Sequence, residues 1–471
     1  MKLRSILAVS IFSLSLCCCT SDETVAPDYQ LEFLIVDGTT GLPVKGAKIK
    51  VLDGGKTVTT KKNGTAGFTE KDLAQALIQT ITDSVAYAFS IVHPDFRPRE
   101  INATLGIKTI KLLPDSTGTY IYQKPVQFDD GLDVGTLTQG GFDTVQINNL
   151  MRKIAQPGYR DLHSILIYKD GHLVLEEYYY GNHDTINFEG GILRDKRPAP
   201  IWWNRNEKHY IASVNKALTA TITGIVLDKY EISTDAYLKD YLPDYTSYFN
   251  GNAHKSSVTF HHALNMTLGF QWDEWAGPDL RLLWESDDFA DFLLSRNNNG
   301  PNKVWYYNSA SPNVILKCLE NIVDEPIRTW AHTNFYEKLG ITDYKWQSQP
   351  DGYPEGAARM YLRPRDMLKI GITYLNNGKW KGEQVIPESW VEKCMQVQQT
   401  TSSGLYSYFF WIRQLNEINY LSADGDGGNF INIFPDQNMV IVFTQGNYLQ
   451  WPLYVNQAND MMGNYIFPAL E

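Results

Sequence analysis

The stretch "YIASVNKALTATITGI", residues 210–225, decides how the second part of this chain folds. Its apolar residues recur at helical spacing, which predicts a helix buried inside a domain. That buried stripe consists of Val214, Leu218, Ile222 and Ile225. Ser213 and Lys216 stand three positions apart at the first turn, so the helix would bring them onto one face.

Ser213 and Lys216 are also residue types that work together in catalysis. A serine hydroxyl is a poor nucleophile until a base removes its proton, and a lysine held in a dry pocket can serve as that base. The unpaired N–H groups of a helix start would stabilise a developing oxyanion. The alternative is a helix-capping Ser213 beside a solvated Lys216, because a Ser-x-x-Lys match arises by chance about once in a chain of this length.

Two later stretches argue against a chance match of the Ser-x-x-Lys motif. "KVWYYNSASPNVILKCLENI", residues 303–322, places two tyrosines and an asparagine ahead of another apolar helix, and "YLSADGDGGNFINIFPDQNMVIVF" has a glycine cluster between two strands. With these motifs in order, residues 128–471 resemble the serine β-lactamase and penicillin-recognising family. The likeness is strongest to its class C and esterase-like branch, whose second motif is Tyr-x-Asn.

The resemblance implies a role for each matching residue. Ser213 would be the acylated nucleophile and Lys216 its activating partner. Tyr306 would pass a proton to the leaving group, and Asn308 would orient the lysine and the substrate by hydrogen bonds. Apart from the resemblance, Trp272, Asp273 and Glu274 follow the loop "TLGF", and this position predicts that they lie at the pocket rim.

The third motif departs from the family pattern. The family has Lys-Thr-Gly or His-x-Gly on the last sheet, and here the triplet is Ala423-Asp424-Gly425. The resemblance implies that the N–H of Asp426 joins that of Ser213 as the oxyanion hole, with Gly425 on the substrate-binding strand and Ala423 and Asp424 at the rim. Alanine cannot bind the substrate carboxylate that the family's basic residue recognises. An ester or amide without that group is therefore favoured, unless Arg363 or Arg365 replaces the base, and ion pairing is the expected role of both.

The pattern along the chain predicts two domains. Short alternating runs over 29–115 predict an all-β sandwich, and "VDGTTGLPVKGAKIKV" resembles immunoglobulin-like, transthyretin-like domains, typical of a spacer or weak binding module. Residues 116–127 read as a linker. In 128–471, strands from both ends flank a helical insert at about 228–345, which predicts an α+β fold.

The first residues predict export. "MKLRSILAVSIFSLSLCCCTSDE" has a basic start, a short apolar run and small residues, the order of a signal peptide rather than of a buried strand or helix. Its end resembles a bacterial lipoprotein signal over residues 1–19, with Cys19 as the first choice for lipidation and Cys18 as the second. Residues 20–28 would be a tether, so we expect a lipoprotein of the outer membrane or cell surface, with a periplasm-facing location also open.

Composition excludes several classes. The net charge is −11 and no Lys/Arg-rich stretch is present, so nucleic acid is not an expected partner. Beyond Cys17–Cys19 only Cys318 and Cys394 remain, which gives neither a disulfide framework nor a metal motif. No metal and no organic cofactor are implied.

The sequence thus predicts a serine hydrolase that forms an acyl-enzyme with a small ester, amide or peptide. Two alternatives stay open. One is a penicillin-binding D,D-peptidase of cell-wall metabolism. The other is a surface binding lipoprotein that keeps the fold and has little catalysis, which the altered third motif would allow.

Overall fold

The structure is a computed structural model that describes residues 29–52, 55–74, 79–81, 84–114, 122–155, 159–184, 187–189, 192–194 and 199–471. The predicted signal peptide, Cys19, the tether and the first part of the linker lie outside the described residues. Among the helices that are described, none combines the length and the apolar character that crossing a bilayer requires.

The N-terminal part is built from two sheets around one apolar core. In the first, β1 lies between antiparallel β4 and parallel β8; the second runs β3-β2-β6-β5, with β7 also on β6. The rings of Phe33, Phe68 and Phe89 meet between the sheets, with centroids 4.9 to 6.1 Å apart. The elements are β1 Leu31–Asp37, β2 Lys48–Val51, β3 Thr57–Thr59, β4 Thr65–Phe68, α1 Glu70–Leu73, β5 Gln79–Ile81, β6 Ser84–His93, β7 Phe96–Thr104 and β8 Gly106–Leu112.

The second part is organised by one eight-stranded antiparallel sheet, in the order β10-β9-β25-β24-β23-β22-β21-β20. Its strands come from the two ends of this part of the chain, as the sequence predicts. The early pair is β9 Leu162–Lys169 and β10 His172–Tyr178. The late strands are β20 Gln399–Thr401, β21 Gly404–Ser407, β22 Phe410–Leu415, β23 Ile418–Gly425, β24 Asn429–Phe434 and β25 Met439–Gln445.

Between the two sets of strands the chain is largely helical, and short strand pairs join the loops. The helices are α2 Thr144–Ala155, α3 Val214–Lys229, α4 Thr246–Phe249, α5 Ala253–Ser256, α6 Phe260–Leu264, α7 Asp279–Glu285, α8 Phe289–Leu294, α9 Ser311–Val323, α10 Ile327–Ala331, α11 Pro364–Leu375, α12 Glu388–Met395 and α13 Leu453–Met461. The short strands are β11 Tyr180–Gly181, β12 Asn187–Glu189, β13 Ile192–Arg194, β14 Ile201–Trp202, β15 His209–Tyr210, β16 Lys345–Trp346, β17 Met360–Leu362, β18 Lys379–Trp380 and β19 Glu383–Gln384. This arrangement confirms the α+β fold class.

Helix α3 packs against the sheet at β23 and against α9. Every residue from Val214 to Leu227 is buried, so the helix is enclosed on all sides and not only along the predicted stripe. The helix tolerates this because its threonines are satisfied internally: Thr221 Oγ1 donates to Ala217 O at 2.7 Å and Thr223 Oγ1 to Thr219 O at 2.7 Å.

Candidate active site

Ser213 stands at a tight turn between β15 and α3. Ala212, the residue before it, has φ of +48°, in the left-handed region that a non-glycine residue rarely adopts. The end of β23 is pressed against the same turn: a Cβ added to Gly425 would lie 2.2 Å from the carbonyl oxygen of Ile211. Only glycine permits this approach, and it brings the third motif to the start of α3.

Lys216 and Ser213 meet as the helical spacing predicts. Lys216 Nζ donates to Ser213 Oγ at 3.0 Å and to the carbonyl oxygen of Ala357 at 3.3 Å. The lysine side chain is 1% exposed, so its nitrogen is shielded from solvent. A hydroxyl with a buried amine at hydrogen-bond distance has the geometry that a nucleophile and its base require.

The tyrosine beside this pair is Tyr307, which corrects the assignment of Tyr306. The centre of the Tyr307 ring lies 4.8 Å from Lys216 Nζ. Burial raises the pKa of Tyr307, while the charge of Lys216 and hydrogen bonds with Ser213 and Lys216 act to lower it. The side chain of Tyr306 is 41% exposed. Successive side chains of this irregular segment face different sides, and the Tyr-x-Asn spacing selected the tyrosine that faces outward.

Among the described residues, no hydrogen bond joins Asn308 to Lys216, although the resemblance predicts one. Its Oδ1 accepts from the backbone N–H of Ala310 at 2.8 Å and of Ser311 at 3.0 Å, at the start of α9. The side chain is buried and its oxygen is used to begin that helix. Asn308 therefore fixes the segment that carries Tyr307. The predicted contact with Lys216 is not observed, and the role toward the substrate stays a prediction.

The next residue, Ser309, leads to a buried carboxylate. Ser309 donates to Glu274 through its hydroxyl and through its backbone N–H, the latter at 2.8 Å, and Trp272 Nε1 donates to Glu274 at 2.9 Å. Burial raises the pKa of Glu274, and the positive charge of Lys216 acts in the opposite direction. The sequence placed Glu274 at the rim, but it is a buried charge that bears on Lys216 and Tyr307.

Of the two residues predicted for the rim in this loop, Trp272 is buried instead, while the place of Asp273 at the rim stays a prediction. Trp272 is 4% exposed and belongs to the core around α3. Asp273 is exposed and accepts hydrogen bonds from the backbone N–H groups of Trp275 and Ala276, so it shapes the loop. The aromatic side chain that does reach the surface there is Trp275, at 77% exposure. A loop of mixed polar and aromatic residues carries no sequence signal for which of them turns inward.

The third motif forms the open end of β23. Strand β22 pairs with β23 as far as Ser422, and beyond it Ala423 to Gly425 pair with β24 on the other side. Within the described strands this leaves one edge of Ala423–Gly425 open beside the start of α3, where a substrate backbone could align. Asp426 follows, and its carboxylate accepts from the N–H of Leu449 at 3.0 Å. The oxyanion-hole role of the N–H groups of Ser213 and Asp426 stays a prediction.

Ala423 and Asp424 do not form a rim. Ala423 is 1% exposed within the core, and the carboxylate of Asp424 accepts from Arg413 and Ser422. Asp424 lines a different cavity, of about 430 Å³, which β22, β23 and β24 share with α13. The alternation of side chains along a strand places Asp424 on the opposite face from its two neighbours.

Aromatic rings flank Tyr307 on two sides. Trp275 lies 5.6 Å from it, centroid to centroid, at an interplanar angle of 26°, and Trp411 lies 6.3 Å from it at 12°. Trp305 completes the group, 6.1 Å from Trp411. The three nearly parallel rings of Trp275, Tyr307 and Trp411 are called the aromatic wall below.

The cations considered for substrate binding are paired with carboxylates. Arg363 Nε lies 2.7 Å from Asp366, as expected from ion pairing. Arg365 is buried, with contacts of 2.6 Å to Glu176 and 2.8 Å to Asp130. Neither replaces the basic residue that the third motif lacks.

A half-buried serine hydroxyl with a lysine nitrogen and a phenol beside it, at the start of an enclosed helix, is the arrangement of a serine hydrolase whose base would not be a histidine. The model of the Beta-lactamase family matches residues 148–452, so the chain belongs to that family and is a serine hydrolase of its fold. The expected resemblance and enzyme class are confirmed.

Individual known proteins are similar to this chain at low sequence identity. A 6-aminohexanoate-dimer hydrolase of Paenarthrobacter ureafaciens is 22% identical over 258 residues, which cover 50% of this chain and 66% of that protein. A candidate 6-aminohexanoate-dimer hydrolase from Bacillus anthracis superposes with a TM-score of 0.54 at 18% identity, over 75% of this chain and 88% of that one. EstCE1, a hydrolase with promiscuous acyltransferase activity, gives 0.51 at 16% identity over 67% and 97%. The two structures show the fold of this chain.

Proposed function

We propose that this protein hydrolyses an ester or amide that carries no carboxylate at the recognition end, through an acyl-enzyme on Ser213. The observation that carries the proposal is the 3.0 Å contact between Lys216 Nζ and Ser213 Oγ inside a buried site. Attack on the substrate carbonyl forms the Oγ–C bond while the hydroxyl proton passes to Lys216 or, through it, to Tyr307. The tetrahedral intermediate then expels the alcohol or amine, which takes up that proton.

Deacylation repeats the sequence with water as the nucleophile. Water gives a proton to the same groups and attacks the acyl carbon, and the ester bond to Ser213 breaks with return of a proton to its oxygen. The aromatic wall lies beside the reacting atoms because Tyr307 belongs to both. Lys216 and Tyr307 therefore serve the two half-reactions in opposite directions.

The choice of substrate rests on charge. Ala423 offers no donor, and Arg363, Arg365 and Arg413 are each paired with a carboxylate. A substrate carboxylate would lose its hydration at this site without gaining a partner, which costs binding free energy. The aromatic wall favours an apolar or flat group. The two named hydrolases support acyl transfer in general, since one acts on the amide of a 6-aminohexanoate dimer and the other is a hydrolase with promiscuous acyltransferase activity. The preference against a carboxylate rests on the charges of this site alone, because the 6-aminohexanoate dimer itself carries one. We also propose that the chain belongs to the class C and esterase-like branch. The support is the order of its motifs and no longer the Tyr-x-Asn spacing, because the tyrosine beside Lys216 is Tyr307.

The test is labelling of the protein with a fluorophosphonate probe, with Ser213→Ala as the matched variant. We expect labelling of the wild type and none of the variant. Hydrolysis of p-nitrophenyl butyrate is then compared with that of the p-nitrophenyl half-ester of succinate, which differs by a carboxylate. Preference for the uncharged ester supports the proposal. Stable acylation by a fluorescent penicillin would favour the D,D-peptidase alternative, and no labelling with no turnover would favour a binding protein.

We also propose that the chain is an exported lipoprotein, anchored at the outer membrane or cell surface through Cys19, and that the N-terminal sheets form an immunoglobulin-like spacer. The support is the order of basic, apolar and cysteine residues at the start and the two-sheet arrangement of residues 31–112. Incorporation of labelled palmitate that is lost in Cys19→Ala and kept in Cys18→Ala supports the assignment. Incorporation lost only in Cys18→Ala moves the anchor by one residue.

A further inference from the structure

A buried group of two histidines and an aspartate includes a residue of β15, the strand that precedes the nucleophile. It consists of His163 on β9, Asp184 after β11 and His209 on β15. Each side chain is at most 1% exposed, and one donor atom from each lies within 4.8 Å of the others. His209 is four positions before Ser213, so this His-Asp-His cluster touches the strand that leads into the active site but takes no part in the proposed chemistry.

The two imidazoles are held side by side on one indole. The ring of Trp203 stacks on His163 at 4.3 Å and on His209 at 4.0 Å, at angles of 21° and 24°. The two imidazole centres are 5.4 Å apart, which requires both to lie on the same face of Trp203. Their nitrogens are thereby brought to a common side chain, the carboxylate of Asp184.

One close approach in the cluster, between His163 Nδ1 and Asp184 Oδ1, is not a hydrogen bond. His163 Nε2 lies 3.3 Å from Asp161 Oδ1. In the tautomer that donates from Nε2 to this carboxylate, Nδ1 carries a lone pair. That Nδ1 lies 3.7 Å from Asp184 Oδ1, and neither atom has a hydrogen-bond partner. A lone pair and a carboxylate oxygen repel each other in a dry core unless a positive charge lies between them.

The 3.7 Å spacing between His163 Nδ1 and Asp184 Oδ1 suits an ion better than a direct hydrogen bond. Hydrogen bonds between nitrogen and oxygen span about 2.7–3.2 Å, whereas two donors each about 2.0–2.2 Å from one zinc ion are further apart than that. The remaining oxygen, Asp184 Oδ2, accepts from Tyr448 OH at 2.8 Å and lies 3.2 Å from His209 Nδ1. Oriented carboxylates of this kind are typical of metal ligands.

We propose that His163, Asp184 and His209 bind one divalent ion of the zinc class in a buried site, as three protein ligands that leave the fourth position to a water molecule. Two imidazole nitrogens and a carboxylate oxygen are the donor set that zinc takes in proteins, and the burial of all three residues closes the site to substrate. The ion would fix His209. The Tyr448 hydroxyl oxygen lies 2.8 Å from Asp184 Oδ2 and 2.7 Å from the carbonyl oxygen of Tyr210, so its one hydrogen is shared between the cluster and the strand that leads to Ser213. The position of Ser213 would thus depend on the ion through the backbone of β15.

The test measures metal content. Full-length protein is unfolded with a chelator, refolded with zinc chloride, dialysed and analysed by plasma mass spectrometry. We expect about one zinc per chain in the wild type and in Ser213→Ala, and a content at least about ten-fold lower in His163→Gln. His254→Gln, which removes an exposed histidine of the insert, is the matched control and should keep the ion.

A wild type that takes up no zinc overturns the proposal, as does a His163→Gln variant that keeps the wild-type content. If circular dichroism shows that His163→Gln does not fold, the decision moves to the wild type refolded with cobalt. Visible absorption of bound Co²⁺ and a thermal midpoint above that of the metal-free refolded protein support the site. Absence of both overturns it. Zinc uptake by Ser213→Ala, which cannot be acylated, keeps this outcome separate from the proposed hydrolase function.

Discussion

The nitrogen of Lys216 lies 4.8 Å from the centre of the Tyr307 ring, so the charge of the lysine acts directly on the pKa of that phenol. The neighbouring tyrosine in the sequence is turned to solvent. Two adjacent tyrosines therefore differ in every property that proton transfer requires, namely burial, contact with the nucleophile and contact with its base.

This difference gives a paired test. Tyr307→Phe removes the hydroxyl beside Ser213, and we expect kcat/KM for an uncharged ester to fall about 10²- to 10⁴-fold, the usual contribution of a positioned proton donor or acceptor. Tyr306→Phe changes an exposed residue and should stay close to wild type. Steady-state kinetics of both variants, with circular dichroism to verify folding, decides the assignment. An equal fall of kcat/KM in the two variants, or a fall only in Tyr306→Phe, would restore the assignment of Tyr306 as the residue that transfers the proton.

Replacement of Glu274 should shift the pH dependence of kcat/KM. Its negative charge acts to raise the pKa of Tyr307, so Glu274→Gln should lower that pKa by removing an anion that disfavours the phenolate. The limb of the pH–kcat/KM profile that reports Tyr307 should accordingly move to lower pH. Glu325→Gln, an exposed carboxylate beyond α9, should leave the profile in place. A shift to higher pH in Glu274→Gln would contradict the electrostatic role.

The sequence predicted the features that follow from periodicity. Helix α3, the hairpin of β9 and β10 and the late antiparallel strands carry their own hydrophobic patterns, and the i, i+3 spacing alone brings Ser213 to Lys216. The family resemblance supplied the order of motifs. These parts of the site needed no knowledge of long-range packing.

What the sequence missed depends on tertiary contacts. The side chains of Tyr307, Glu274 and Trp272 belong to irregular segments, where no period tells which residue turns inward. The His-Asp-His cluster joins segments that are distant along the chain, without any local metal spacing. The single predicted stripe of α3 was incomplete for a related reason, because α9 covers the face that the pattern left open.

Gly425 offers a test of the contact between β23 and the nucleophile turn. A Cβ at this position would lie 2.2 Å from the Ile211 carbonyl oxygen, which is backbone and cannot rotate away. In Gly425→Ala the strand must therefore separate from the turn, and displacements of about 1 Å near reacting groups cost on the order of 10²-fold in activity. Gly251→Ala, in the insert, has no atom within 4 Å of the added Cβ and should lower only the thermal midpoint. Full activity of Gly425→Ala would show that the open edge of β23 does not need this approach.

The aromatic wall predicts how the enzyme ranks acyl groups. Trp275 is 77% exposed and stacks on Tyr307, so Trp275→Ala should leave stability nearly unchanged while removing one side of the wall. Stacking contributes about 0.5–1.5 kcal/mol, so we expect the preference for p-nitrophenyl benzoate over p-nitrophenyl acetate to fall about 3- to 10-fold in kcat/KM. Tyr237→Ala removes another exposed aromatic ring, in the insert, and should keep the wild-type ratio. The ratio of the two esters cancels any common loss of active enzyme, so an unchanged ratio in Trp275→Ala would mean that the acyl group binds elsewhere than beside this ring.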